Sequence, residues 1–376
     1  MRIQTRRQSA PNTLAHVPEK HSLVKARLDA GFAKRPVFAK AQDIRRRKAG
    51  WCVALLVALL AIGVATSARA QSEALTELLS GVVRMKAFIN PDGRTTQNLG
   101  REREGSAVVI DSNGLILTIG YLMVEAHSAE IVTNDGQDVP ANIVGYDHQT
   151  GFGLLQAIAP LKVQPLAFGK SAELKERDAV VVAPFGGPEN AAPAVVVAKR
   201  EFAGNWEYLL DQAIFTAPPH PTWSGAALLN HEGKLVGIGS LVVGDATGKG
   251  DRMPGNMFVP TDLLPPILAD LIVSGRSAGA GRPWLGVNTD EMHGHLMISN
   301  VTPGGPAEHA GLKRGDIILG VNGAPVSHLG EFYRKLYAQG DAGTVIPLDV
   351  FRDNEKQRVE VKSINRLDHL RLKSSF

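Results

Sequence analysis

The segment Thr222-Trp223-Ser224-Gly225-Ala226 sets a serine before a glycine, directly after the run Pro218-Pro219-His220-Pro221. A serine hydroxyl is a poor nucleophile until a neighbouring base takes its proton. Two histidines are candidates by position: His220, four residues earlier, and His148, beside Asp147. The prolines around His220 stiffen its backbone without directing its ring toward the serine, so a working pair requires a coincidence of geometry. Ser224 thus reads either as a nucleophile position or as a small residue in a tight loop. Metal chemistry has less support, because the one close histidine pair, His293 and His295, lies in an expected turn with no carboxylate or cysteine at ligand spacing. No metal and no cofactor is expected.

The elements that would position these groups are mainly β. From Leu79 to Pro260, short β-rich runs alternate with Gly/Asn/Asp turns: 82–86, 107–110, 115–118, 179–182, 194–197, 226–229 and 235–238. This spacing predicts a barrel or sandwich. Asp111-Ser112-Asn113-Gly114 and Asn230-His231-Glu232-Gly233 supply the residues that accept positive φ between paired runs, and each predicts a hairpin. A helix is expected over Asp262–Val273, capped by Thr261. The small residues of 274–281 form a linker. Beyond it come a strand at 296–298, a short helix at 306–310, a strand at 317–321, a helix at 331–338 and a hairpin through Asp353-Asn354-Glu355.

The run from Val301 to Gly323, with Pro303-Gly304-Gly305-Pro306-Ala307 and Gly311-Leu312-Lys313-Arg314-Gly315-Asp316 inside it, closely resembles the centre of a PDZ domain. Pro306 starts a short helix, Gly311 ends it, and Asn322-Gly323 makes a tight turn. Trp284-Leu285-Gly286-Val287 resembles that family's carboxylate-binding loop. The resemblance implies that a peptide adds as a strand to the open sheet edge while backbone N–H groups of this loop hold its terminal carboxylate. The implied peptide-binding residues are Trp284, Leu285, Gly286 and Val287, with Phe332 and Leu336 on the helix that forms the opposite wall.

Upstream, Gly105–Ile110 with Asn113–Thr118, then Val144–Leu155, then Thr222–Leu228, resemble the three catalytic segments of the HtrA/DegP-like family of trypsin-type serine proteases. The implied fold is a trypsin-like double β-barrel followed by a PDZ domain. The catalytic histidine of that family would fall three positions after Thr118, where this chain has Tyr121. The catalytic aspartate would fall at Gly151. Ser224 keeps the nucleophile position, and the oxyanion donors would be the amides of Thr222 and Ser224. A phenol is neutral below about pH 10 and has no acceptor comparable to an imidazole nitrogen. Glycine offers no carboxylate. The reading is therefore a catalytically impaired serine protease homologue that binds peptides or protein C-termini. An active endopeptidase of protein quality control, using Ser224 with a non-standard base, is one alternative; a structural partner of active homologues is another.

The N-terminal residues predict export to the cell envelope, and the charge distribution bears on partners. Residues 1–70 hold 14 Lys/Arg against 3 Asp/Glu, and the remainder 27 against 34. The basic excess sits in the leader, which argues against a nucleic-acid surface in the body. Arg45-Arg46-Arg47-Lys48 precedes an apolar run of 14 residues, Trp51–Val64, and then Ala68-Arg69-Ala70. This has the layout of an export signal too short to span a bilayer comfortably, with an uncleaved inner-membrane anchor or an over-assigned start as alternatives. Cys52, the sole cysteine, lies within it, so the exported body would have no disulfide. The expected divisions are a basic tail (1–50), signal peptide (51–70), protease-homologous domain (71–273), linker (274–281), PDZ domain (282–366) and C-terminal tail (367–376). By resemblance, a homotrimer or a hetero-oligomer with active homologues is implied.

Overall fold

The structure, a computed structural model, describes Arg69 and residues 71–372. The expected basic tail, all of the expected signal peptide except Arg69, and residues 373–376 lie outside the described residues. Among the described residues no helix is long and apolar enough to cross a membrane.

After a helix over residues 71–80, α1, six strands close into a first barrel: β1 (Val82–Ile89), β2 (Glu102–Val109), β3 (Leu115–Ile119), β4 (Ala126–Val132), β5 (Asp138–Tyr146) and β6 (Phe152–Ala157), in the order β1-β2-β3-β6-β5-β4. A short helix, α2 (Thr96–Leu99), lies between β1 and β2. The β2–β3 hairpin turns because Asp111 Oδ1 accepts from the amides of Asn113 and Leu115, and Gly114 takes φ +81°. A second barrel follows from β7 (Ala179–Ala183), β8 (Ala192–Gly204), β9 (Tyr208–Ala217), β10 (Ala227–Leu229), β11 (Leu235–Val243) and β12 (Gly255–Pro260), in the order β10-β11-β12-β9-β8-β7. Strand β8 has 13 residues and β9 has 10, and the last pair of this hairpin is Gly204 with Tyr208. Its tip is thus the three-residue loop Asn205-Trp206-Glu207.

The helix expected over 262–273 begins later. Thr261–Leu263 form a 3-10 turn and α3 runs Pro265–Ser274, with no side-chain cap from Thr261. Two prolines fix its start, since proline suits the first helical turn where no intrahelical N–H bond is lost.

The remaining sheet has the order β13-β14-β15-β17-β18: β13 (Val287–Met292), β14 (His295–Val301), β15 (Ile317–Val321), β17 (Val345–Arg352) and β18 (Glu355–Lys362), with β16 (Ala324–Pro325) beside β15. Two helices complete it, α4 (Pro306–His309) and α5 (Leu329–Tyr337). His328 caps α5 through Nδ1, which accepts from the Glu331 amide at 3.2 Å. The core of this unit contains Leu285, Val287, Ile298, Phe332, Leu336 and Val350, and also Leu209, which comes from β9 of the second barrel. Finally α6 (Arg366–His369) returns to the first barrel. Leu367 and Leu370 pack on Val124 and Tyr146, and the Arg371 amide donates to Glu125 Oε1 at 2.8 Å.

Candidate functional site

Ser224 sits half-buried in a loop clamped between the two barrels. Its carbonyl accepts from the Ser106 amide at 2.9 Å, and the Gly225 amide donates to the Gly239 carbonyl at 2.9 Å. Gly225 has φ +71°, and a Cβ there would stand 1.8 Å from the Ser106 carbonyl oxygen. Only glycine allows that approach, so the loop shape is built into the sequence.

Tyr121 stands in a 3-10 turn, Gly120–Leu122, at the end of β3. Buried Arg103 straps this turn, donating to the carbonyls of Tyr121 (2.8 Å) and Val124 (3.1 Å); desolvation lowers its guanidinium pKa to about 10. The phenol oxygen lies 2.8 Å from Ser224 Oγ and 2.9 Å from the Ser240 carbonyl oxygen. A phenol has one proton and a carbonyl can only accept. Both contacts are satisfied when Tyr121 donates to Ser240 and Ser224 donates to the phenol oxygen. Burial pushes the phenol pKa above its ordinary value, so the phenolate form, the one state that could take a proton from serine, is further suppressed.

Gly151 follows the turn Asp147–Thr150, in which Asp147 Oδ2 accepts from the Thr150 amide (2.7 Å) and hydroxyl (2.8 Å). It has φ +81°, and a Cβ there would meet the Tyr208 hydroxyl at 3.1 Å. That hydroxyl donates to the Thr150 carbonyl at 2.6 Å. A carboxylate side chain at this position meets both backbone strain and an occupying phenol.

Neither candidate histidine reaches the serine. His220 Nε2 lies 2.9 Å from the Asn190 carbonyl and donates to it, while Nδ1 accepts from the Thr222 amide at 3.1 Å. Both ring nitrogens are thereby engaged by groups other than Ser224. The same contact commits the Thr222 N–H, one of the two expected oxyanion donors, to an imidazole. His148 packs between the rings of Tyr146 and Tyr208, each 6.3 Å away. Burial first, then the Arg366 guanidinium, hold its pKa well below the usual imidazole range. Among the described residues, Ser224 Oγ has the Tyr121 phenol as its hydrogen-bond partner and no imidazole nitrogen. Beside it opens a cavity of about 490 Å³ lined by Tyr121, Gly151, Trp206, Tyr208, Trp223 and Ser240 from the barrels, and by Arg366 and Leu370 from the chain after β18.

The loop Leu285-Gly286-Val287 has a different fate. Its three amides converge on one carboxylate: Leu285 N–H donates to Glu207 Oε2 at 2.8 Å, and Gly286 and Val287 donate to Oε1 at 2.6 and 2.9 Å. Gly286 takes φ +84°, which turns consecutive amides toward one point. Glu207 is 3% exposed, and its pKa is pushed up to about 7 because burial outweighs the three amides and Arg366. Two residues earlier, the Asn205 carbonyl accepts from the Thr289 amide at 3.0 Å. On α5, the Tyr333 hydroxyl donates to the Gly204 carbonyl (2.7 Å) and accepts from the Glu207 amide (3.2 Å).

Leu285, Gly286 and Val287 thus form a carboxylate grip. Trp284 stands outside it: its backbone pairs with Ile364 and its ring lies 4.9 Å from that of His369. Phe332 and Leu336 are fully buried in the core behind the groove. The α5 side chains that hydrogen-bond the backbone of Gly204 and Glu207 are Tyr333 and Tyr337, which sequence reasoning missed along with Asn205 and Glu207. The available signal was a glutamate at the third position of a three-residue hairpin loop, where positive φ favours glycine or asparagine. Among the described residues no cluster of three His, Cys, Asp or Glu could hold a metal.

Comparison with known proteins accords with this geometry. Residues 105–238 match the trypsin-like peptidase domain and residues 283–363 the PDZ domain. The periplasmic pH-dependent serine endoprotease DegQ of Escherichia coli is 31% identical over 275 residues, covering 68% of this chain and 58% of that protein. A probable periplasmic serine protease, do/HhoA-like, of Haemophilus influenzae is 29% identical over 275 residues, 69% of this chain and 57% of that protein. The chain therefore spans somewhat over half the length of the curated relatives it matches. Among solved structures, the HtrA-type protease AlgW with decapeptide aligns with a TM-score of 0.48 at 20% identity, over 80% of this chain and 98% of that one. With two closed six-stranded barrels carrying a serine loop between them, a PDZ domain after them, and these sequence matches, the chain belongs to the HtrA family of trypsin-like serine proteases.

Proposed function

We propose that this chain is a catalytically silent HtrA relative of the cell envelope that captures protein chain ends through its PDZ domain. The observation that carries the reading is the partner of Ser224. A hydroxyl that donates to a buried neutral phenol has nowhere to send its proton when it attacks a carbonyl, and loss of a triad base costs on the order of a million-fold in turnover. Gly151 and the committed Thr222 amide remove the remaining supports for an imidazolium and an oxyanion. The three-amide grip at 285–287 supports carboxylate recognition. The export-type leader and the periplasmic names of the relatives support an envelope location.

A fluorophosphonate probe tests the silent cleft. The expected result is no adduct on Ser224 and casein hydrolysis indistinguishable from that of Ser224→Ala. An adduct that forms on the natural chain and is absent from Ser224→Ala would sink the reading.

A further inference from the structure

We propose that Glu207 is a built-in ligand of the PDZ groove, standing where the terminal carboxylate of a bound chain would stand, so that an external chain end enters only by displacing the β8–β9 loop. The inference rests on the chain-end reading above and adds that the groove is already filled by the protein itself.

Four observations converge. First, the Glu207 carboxylate takes all three amides of the loop, with both oxygens bonded; a free carboxylate arriving from outside finds no open donor. Second, the Asn205 carbonyl bonds the Thr289 amide. Amides two apart on a strand face the same way, so Val287 and Thr289 present successive rungs, and residues 205 and 207 occupy both. The loop therefore reproduces strand addition in outline: a carboxylate at the end and a ladder bond two residues back. Third, Leu209 is buried in the apolar core of the PDZ domain, which gives the internal segment an aliphatic side chain beside its carboxylate. The competing partner has the same pair of features, a free α-carboxylate and an aliphatic last residue. Fourth, Glu207 has φ +60°. The loop geometry demands positive φ at this third position and glycine meets it without strain; the chain places a glutamate there instead, and the side chain it gains lies in the grip.

The contact is reinforced from the opposite wall. Tyr333 bonds both Gly204 and Glu207, and Arg334 pairs with Glu201 of β8. Gly330 makes room, since a Cβ there would stand 2.0 Å from Glu201 Oε1.

The decisive variant is Glu207→Gly, which suits the turn and deletes the carboxylate. Hydrogen exchange on the full chain is expected to quicken at least tenfold at the amides of Leu285, Gly286 and Val287, with β17 and β18 unchanged. Fluorescein-labelled heptapeptides randomised at six positions and ending in Leu are expected to bind this variant at least tenfold more tightly than the natural chain, and their C-terminal amides to bind neither. Glu207→Gln, which keeps the side chain's size, should fall between. Unchanged loop exchange, or equal peptide affinity in the natural and variant chains, overturns the proposal. Fast loop exchange without binding of the acid peptides removes the chain-end reading beneath it and the competition with it. Neither measurement depends on the chemistry of Ser224.

Discussion

The serine loop and the PDZ loop are both filled from within, but in opposite senses. At Ser224 the backbone frame is kept, with Gly225 pressed on Ser106, while on the function proposed above a phenol and a glycine stand in place of the groups that would move a proton. At Leu285–Val287 the frame and its chemistry both survive, and three amides still grip a carboxylate, one supplied by Glu207 of the same chain. Backbone geometry thus persists in both regions. What separates them is whether function needs a particular side chain, as proton transfer does, or only main-chain donors, as carboxylate binding does.

The contrast can be broken at the frame, at the fillers, or at their margins. Gly225→Ala introduces a Cβ 1.8 Å from a main-chain oxygen at φ +71°; we expect a loss on the order of 4 kcal/mol in urea denaturation, from strain and overpacking together. A loss under about 1 kcal/mol would mean that the loop is not clamped. Tyr121→Phe leaves the Ser240 carbonyl and the Ser224 hydroxyl without their phenol partner, and the expected cost is about 2 kcal/mol, with no gain of fluorophosphonate labelling. If the variant becomes reactive, Tyr121 was suppressing a competent serine.

Next in size is a pH effect on the PDZ loop. The docked Glu207 pKa is raised to about 7, above the ordinary value of the free side chain, so docking takes up a proton. Its contribution is complete below the free value and is lost as pH rises through 7. The Arg366 and Arg282 side chains face this region, burial raises the pKa values of Tyr333 and Tyr337, and burial with Arg366 holds that of His148 well below the usual imidazole range. Loop exchange should therefore quicken about tenfold between pH 6 and pH 8 beyond the intrinsic rate, corresponding to about 1.4 kcal/mol. Glu207→Gln should flatten the dependence; a profile unchanged by that substitution would assign the titration elsewhere. The smallest effect is expected for Arg334→Ala. Its ion pair with Glu201 is more than half exposed on the arginine side, and exposed pairs contribute under about 1 kcal/mol. A larger change in loop exchange would make that pair a principal latch.

Much of this was legible in the residues. The paired β runs and their Asp/Gly turns mark the hairpins, the stretch from Val301 to Gly323 marks the PDZ domain, and the segments around Tyr121, Gly151 and Ser224 mark the trypsin-like domain. What was hidden depends on tertiary contact. Tyr208 behind Gly151, and Glu207 in a loop 78 residues and more before its donors, leave no trace in periodicity or local spacing. The Thr222–His220 contact spans only two residues, yet it follows from how the prolines orient one ring. At α3, the Pro265-Pro266 pair outweighed the threonine cap.

Side chains of the hairpin tip and of β9 contact two different surroundings. Asn205, Glu207 and Leu209 face the PDZ domain, while Trp206 and Tyr208, stacked 5.8 Å apart, wall the chamber beside Ser224. One short ribbon therefore serves as the plug of one compartment and a panel of the other. If an incoming chain end displaces this loop as proposed, Trp206 moves with it, and its indole emission would register groove occupancy from the wall of the Ser224 chamber.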